Sequence, residues 1–152
     1  MILLMLMFIG GCAGSTAGGL KVSRIVILIK SSFKEIKSVV NPNRVEAIRM
    51  ENKPLDRDVS SGVLHYLSVY LLIFVTILII VSVQSTDFLS AFSAVTATFN
   101  NIGPGLGVVG PTSNYASLSN LNKIVLSFGM LAGRLEIFPI IILFAPSTWR
   151  KN

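Results

Sequence analysis

Side chains able to do covalent chemistry are scarce in this sequence. His65 is the only histidine and Cys12 the only cysteine, so an internal disulfide and a Cys/His metal cluster are both excluded. No His-Glu-x-x-His or Gly-x-Ser-x-Gly pattern occurs, and hydrolytic or redox catalysis has no residues to carry it. Gly14 and Gly19 begin a phosphate-loop pattern, but Leu20 stands where that loop requires lysine. The chain therefore does not read as an enzyme. His65 reads as an interfacial side chain.

Three other features could act on an ion. The first is the run Phe88–Phe99 and the sequence after it, Asn100-Asn101-Ile102-Gly103-Pro104-Gly105. Thr86 can cap a helix there, and Asp87 suits the positive end of the helix dipole. The opposite end carries roughly half a negative charge, and Gly103 and Pro104 stop the helix from continuing. Its freed carbonyls could then hold a desolvated cation. A short surface helix followed by a Gly-Pro turn fits the same residues.

The second feature is Gly10–Gly19, with five glycines, Ser15 and Thr16 in ten residues. Gly10, Gly14 and Gly18 recur at every fourth position, as a close-packed helix face would require. An unwound loop at membrane depth, lining a cavity, accounts for them equally well. The third feature is Arg134 with Glu136, ionisable residues inside an apolar stretch, where such groups face a cavity or a partner. Two residues apart on a helix, they do not face each other. Glu136 reads as a structural ion pair with another helix, and Arg134 as a fixed positive charge beside an ion path.

The elements that must position these features are membrane elements. Hydrophobic types make up 52% of the chain and charged types 13%, about half the charge of an ordinary soluble domain. The mean hydropathy is +0.73, which also excludes a disordered chain. The net charge of +6 is unevenly spread. Nine of the thirteen Lys and Arg residues lie between Lys21 and Arg57, and between Gly62 and Asn122 the only charge is Asp87. Basic residues gather on the cytoplasmic side, which puts 21–57 and the Arg150-Lys151 tail inside.

Residues 63–83 and 121–145 are each long enough to span, and Trp149 marks the interface after the second. The run between them has 12 residues, too few for a hydrocarbon core of about 30 Å. Both basic flanks on one side require two crossings, so the short run must enter and leave on the outer side as a re-entrant helix. A secretory signal at the N-terminus is disfavoured, because its positive charge precedes the apolar stretch and here Lys21 and Arg24 follow it. The apolar part before Gly10 is too short to span and reads as the remnant of a longer helix, the expectation being a chain that ends a larger protein. Residues 21–40 read as an amphipathic helix with Lys30, Lys34 and Lys37 on one face, ended by Asn41-Pro42. Its basic face suits anionic headgroups of membrane lipid, with a cytoplasmic partner as the alternative and no role with nucleic acid.

The stretches GGCAGSTAGGLKVSR, FSAVTATFNNIGPGLGVVGP and GMLAGRLEIFPIIILFAPSTWR, with the Asn-Pro-Asn turn between the first two, resemble the C-terminal part of the TrkH-type potassium uptake family, in the Trk/Ktr/HKT superfamily. The resemblance covers essentially the whole chain. It implies an all-α integral membrane protein, part of a fourfold helix–pore loop–helix channel-like architecture. Residues 1–40 would be the second helix of the third repeat with a Gly-rich intramembrane loop and a cytoplasmic extension. Residues 41–61 would be a cytoplasmic linker, and 62–152 a complete fourth repeat: helix 63–83, pore helix 87–98, filter 98–105 and helix 121–145.

On the same resemblance, Thr98, Phe99, Asn100, Asn101, Ile102 and Gly103 match one quarter of a selectivity filter, with potassium at Asn100, Asn101 and Gly103. Gly10, Gly11, Gly14, Ser15, Thr16, Gly18 and Gly19 match the gating loop beneath it, and Arg134 matches an arginine barrier facing that loop. Asn41 stands where relatives often have histidine. The implied partners are the remaining repeats of the transporter, a second copy in a homodimer, and a cytoplasmic nucleotide-binding regulatory subunit (TrkA-like). The implied place is the bacterial inner membrane, with potassium as the transported ion and no bound cofactor. A fragment supplying one quarter of a filter is not expected to conduct alone. The rival expectation is a non-transporting membrane scaffold or lipoprotein-like anchor.

Overall fold

A computed structural model describes residues 2–12, 18–40, 49–50, 53–54, 57–85 and 87–134. Five helices appear among them: α1 (Ile2–Leu6), α2 (Val22–Val40), α3 (Arg57–Gln84), α4 (Phe88–Phe99) and α5 (Asn120–Arg134). Gly107–Val109 and Tyr115–Ser117 form single 3-10 turns. The strands described are β1 (Arg49–Met50) and β2 (Lys53–Pro54), an antiparallel pair with Arg49 opposite Pro54 and Met50 opposite Lys53.

The long helix α3 is the backbone of the fold. Its 28 residues extend about 42 Å at ~1.5 Å per residue, enough to cross a bilayer. Val63, Tyr66, Tyr70, Phe74, Ile77 and Val81 are buried along one stripe, at the three- and four-residue spacing that keeps side chains on one helix face. Leu64, Leu71, Leu72, Val75, Ile79 and Val83 are exposed on the other side. An apolar face turned outward along a helix of this length is matched to lipid rather than to water. The helix starts at Arg57, well before the apolar stretch at 63.

α4 is covered on nearly all sides. Every residue from Ser93 to Phe99 is buried, so a helix of 12 residues, about 18 Å long, sits inside the protein without crossing anything. Ala91, Ala94 and Ala97 let neighbours approach closely. The hydroxyls of Thr96 and Thr98 donate to the carbonyls of Phe92 and Ala94, each at 2.7 Å, which satisfies them within the helix. Phe74 packs edge-on to Phe92 and Phe99, with ring centroids 5.9 and 6.0 Å apart. Phe8 completes the cluster against Phe74 at 5.4 Å.

α5 returns antiparallel to α3. Near the start of α5, the Ser119 hydroxyl bonds Gln84 at the end of α3, and Leu126 is buried among residues of α3 and α4. Toward the start of α3, α2 is pinned to it by Arg24, whose guanidinium lies 4.0 Å from the Tyr66 ring centroid, and by Ser31 bonded to Ser60 at 2.6 Å. α2 ends at Val40, immediately before Asn41-Pro42, where the pyrrolidine ring disfavours helix.

The glycine-rich stretch is not a continuous helix. α1 stops at Leu6, and residues 8–11 run alongside 20–22: Leu20 N–H donates to the Phe8 carbonyl at 3.3 Å, Gly10 N–H to that of Leu20, and Val22 N–H to that of Gly11 at 3.2 Å. Gly10 and Gly18 therefore do not lie on one helix face. Their described backbone is unwound. Gly14, Ser15 and Thr16 lie outside the described residues, as do the Asn-Pro-Asn turn, Thr86, Glu136 and the last part of the expected 121–145 span.

Candidate cation-coordinating turn

Asp87 sets the start of α4. Its carboxylate accepts from Leu89 N–H at 3.3 Å, from Ser90 N–H at 3.1 Å and from the Ser90 hydroxyl at 2.9 Å. Asp87 is thus itself the N-cap, the part that sequence reading had assigned to Thr86. The Ser90 hydroxyl, then the Ser90 N–H, hold the Asp87 carboxyl below the usual carboxylate range. A negative charge at this end also faces the positive pole of the helix.

The far end closes differently from the sequence expectation. The helix persists through Phe99, and it is Asn101 that ends it, with φ at 57° in the left-handed region that asparagine tolerates. Ile102 N–H donates back to the Ala97 carbonyl at 2.8 Å and Asn101 N–H to that of Thr98 at 3.0 Å. These two bonds make a Schellman closure, and Asn100 N–H bonds the Thr96 carbonyl at 3.1 Å. Gly103 and Pro104 follow a helix that has already stopped.

This closure sorts the six expected filter residues. Thr98 and Phe99 belong to the last helical turn, and the Thr98 carbonyl already accepts a bond. The Asn100 side chain is 4% exposed, its Oδ1 accepting from the Tyr70 hydroxyl at 2.7 Å and its Nδ2 donating to the Thr96 carbonyl at 2.9 Å. With both polar atoms engaged, Asn100 can reach an ion only through its carbonyl. The Asn101 Nδ2 donates to the Met130 carbonyl at 3.2 Å, tying the turn to α5. Among the described residues no hydrogen bond reaches the carbonyls of Asn101 and Ile102. Gly103, at φ 101°, accepts from the Tyr115 hydroxyl at 2.7 Å.

Three glycines make room for this turn. A Cβ on Gly18 would lie 2.8 Å from the Asn100 carbonyl oxygen and from Asn101 Nδ2, and one on Gly19 would lie 2.7 Å from Asn100 Oδ1. A Cβ on Gly133 would overlap the Phe99 carbonyl oxygen. The end of the glycine-rich stretch and α5 thus close on the turn from two directions. Gly10 and Gly11 sit further back, in the paired segment. Arg134 follows Gly133 as the last described residue of α5, with an exposed side chain. The geometry joins Gly18, Gly19, Asn100, Asn101 and Gly133 in one cluster.

The negative pole of α4, bare carbonyls beyond it and the lack of any formal negative charge on the turn favour a weakly hydrated monovalent cation over a divalent ion. Sequence reasoning missed Tyr70 and Tyr115, the two hydroxyls that hold the turn. Tyr70 lies inside an apolar span where nothing marks one aromatic from its neighbours, and Tyr115 lies in a polar loop with no periodic signal.

The TrkH family model, described as a cation transport protein, matches residues 1–151. The Trk system potassium uptake protein TrkH of Salmonella typhimurium is 45% identical over 150 residues, covering 99% of this chain and 31% of that protein. TrkG of Escherichia coli, also named as a Trk system potassium uptake protein, is 36% identical over 149 residues, 98% of this chain and 30% of its own length. The crystal structure of the potassium transporter TrkH from Vibrio parahaemolyticus superposes with a TM-score of 0.86 at 43% identity, covering 98% of this chain and 31% of that one. The chain spans about a third of the length of the curated relatives it matches.

Proposed function

Because the chain belongs to the TrkH family of cation transport proteins, we propose that it supplies one quarter of the selective path of a bacterial potassium uptake system. In this reading α3, α4 and α5 are one helix–pore loop–helix repeat, and Asn100 to Gly103 give that repeat's share of the filter. The carbonyls of Asn100, Asn101, Ile102 and Gly103 replace part of the water shell of potassium as it descends the membrane potential, a drop of about 2.3 kcal/mol per charge per 100 mV. The other repeats, in the rest of the transporter, contribute the remaining oxygens.

The observation that carries the proposal is the break itself: a half-length helix, buried on nearly all sides, ends inside the protein at a turn whose Asn101 and Ile102 carbonyls have no donor among the described residues. A non-transporting anchor gives no reason for such a construction. Gly18 and Gly19, against Asn100 and Asn101, support the glycine-rich stretch Gly10–Gly19 as a gate directly beneath the filter. Arg134 would add a positive barrier on the cytoplasmic side.

The whole transporter would sit in the inner membrane as a homodimer, with lipid around α3 and a nucleotide-binding regulatory subunit on the cytoplasmic side near α2. The test is Gly103→Ser in the intact transporter containing this chain. At φ 101° any side chain strains the turn, so potassium-over-sodium selectivity in a liposome flux assay is expected to fall. Selectivity equal to the parent's would remove the filter assignment.

A further inference from the structure

The loop between α4 and α5 holds Gly103 by its carbonyl oxygen. Gly103 is exposed, and a Cβ there would meet nothing within 4 Å. Packing therefore does little to fix the Gly103–Pro104 peptide, and the Gly103 N–H, which donates to the Ala97 carbonyl at 3.3 Å, anchors only the peptide before it. The bond that does fix the Gly103–Pro104 peptide is the one its carbonyl accepts from the Tyr115 hydroxyl at 2.7 Å. Tyr115 is itself firmly presented. It opens a 3-10 turn capped by Asn114 Oδ1, which accepts from Ala116 N–H at 3.0 Å. Leu118 N–H closes the turn on the Tyr115 carbonyl at 3.2 Å. Lys123, on α5, donates its ammonium to the Ala116 carbonyl at 2.9 Å, and the Tyr115 ring packs against the main hydrophobic cluster.

We infer that Tyr115 is a positioning residue for ion selectivity: its hydroxyl fixes the aim of the Gly103 carbonyl, so the outer loop acts as a clamp on the filter. The inference rests on the filter reading of Asn100–Gly103. A hydrogen bond on that oxygen leaves its second lone pair for an ion and opposes rotation of the peptide. Burial raises the pKa of the Tyr115 hydroxyl, so the group stays protonated and able to donate. Without the bond, the Gly103 peptide samples orientations in which its oxygen no longer faces the ion, and a site with fewer fixed oxygens distinguishes potassium from sodium less well.

The test compares Tyr115→Phe with Gly103→Ser and with 4-aminophenylalanine at position 115, each in the intact transporter in liposomes. Tyr115→Phe keeps the ring and removes only the donor. The potassium-to-sodium flux ratio is expected to fall about three- to tenfold, with unchanged amounts of assembled protein, and the aniline N–H is expected to restore much of it. Equal ratios in the Phe and aminophenylalanine proteins would overturn the inference, since ring packing alone would then explain position 115. So would a Tyr115→Phe protein that fails to assemble, which would make the hydroxyl a structural support. A parental ratio in Tyr115→Phe beside a lowered one in Gly103→Ser would overturn the clamp and leave the filter standing. Parental ratios in both would overturn the filter reading and the clamp with it.

Discussion

The Tyr70 hydroxyl donates to Asn100 Oδ1 over 2.7 Å, joining the middle of the membrane-crossing helix to the residue where the half-length helix stops. Both partners are buried, Tyr70 at 1% and Asn100 at 4% exposure. The Tyr70 ring also lies 4.8 Å from that of Phe99. Arg24 on Tyr66, and Tyr66 at 6.2 Å from Tyr70, extend this line of contacts from α2 to the turn at Asn100–Gly103. Tyr70→Phe would leave Asn100 Oδ1 buried without its donor. An orphaned buried acceptor costs about 1–3 kcal/mol, so thermal unfolding in detergent should show a loss of that size. A change below about 0.5 kcal/mol would mean that the amide finds another donor.

Two glycine substitutions separate close approach from helix propensity. At Gly133 a Cβ would overlap the Phe99 carbonyl oxygen, whereas at Gly62 it would meet nothing within 4 Å. Gly133→Ala should destabilise by about 2 kcal/mol or more as α5 is pushed from α4, and uptake should fall with it. Gly62→Ala, inside α3, should stabilise by roughly 0.5–1 kcal/mol through the lower backbone entropy of alanine. Denaturation midpoints of the two proteins decide the matter: equal shifts would place Gly133 in open space.

The residues that were legible in the sequence are those governed by one local rule. The span 63–83 is written in the length of an apolar run, and the brevity of Phe88–Phe99 marked a helix too short to cross. The beginning of α3 at Arg57 was hidden because Arg57-Asp58-Val59-Ser60-Ser61-Gly62 has the composition of a linker. Asn101 as the true stop was hidden behind Gly103-Pro104, which are stronger breakers by composition but come two residues later. The pairing of 8–11 with 20–22, and the reach of Tyr115 to Gly103, are contacts between segments with no periodicity. Only the folded chain brings them together.

Asp87 gives the fold an acid-sensitive end. Its carboxyl is held below the usual range by the Ser90 hydroxyl and N–H bonds. A group whose folded pKa is depressed contributes stability above its unfolded value, about 3.9, and that contribution is lost as pH falls through the folded value. The unfolding temperature of the parent should therefore drop on acidification below about pH 4. Asp87→Asn keeps a capping acceptor without the charge, and its curve should be flatter over the same range. Parallel curves would show that Asp87 carries no share of the acid dependence.

Arg134 tests the proposed positive barrier beside the turn. α5 runs from Ser119 beside Gln84 to Gly133 beside the Phe99 carbonyl, so Arg134 lies just past the turn at the end of α5 remote from Gln84. A fixed cation there raises the energy of a permeating cation, by about 1 kcal/mol at 4 Å in water and more where water is excluded. Arg134→Ala should raise potassium leak through the closed transporter about fivefold or more, whereas Arg134→Lys, which keeps the charge, should leak much less. Flux through the intact transporter in liposomes, with no other protein present, reads this directly. Equal leak in the Ala and Lys proteins would assign Arg134 to packing or pairing, since charge is the property that only one of them retains.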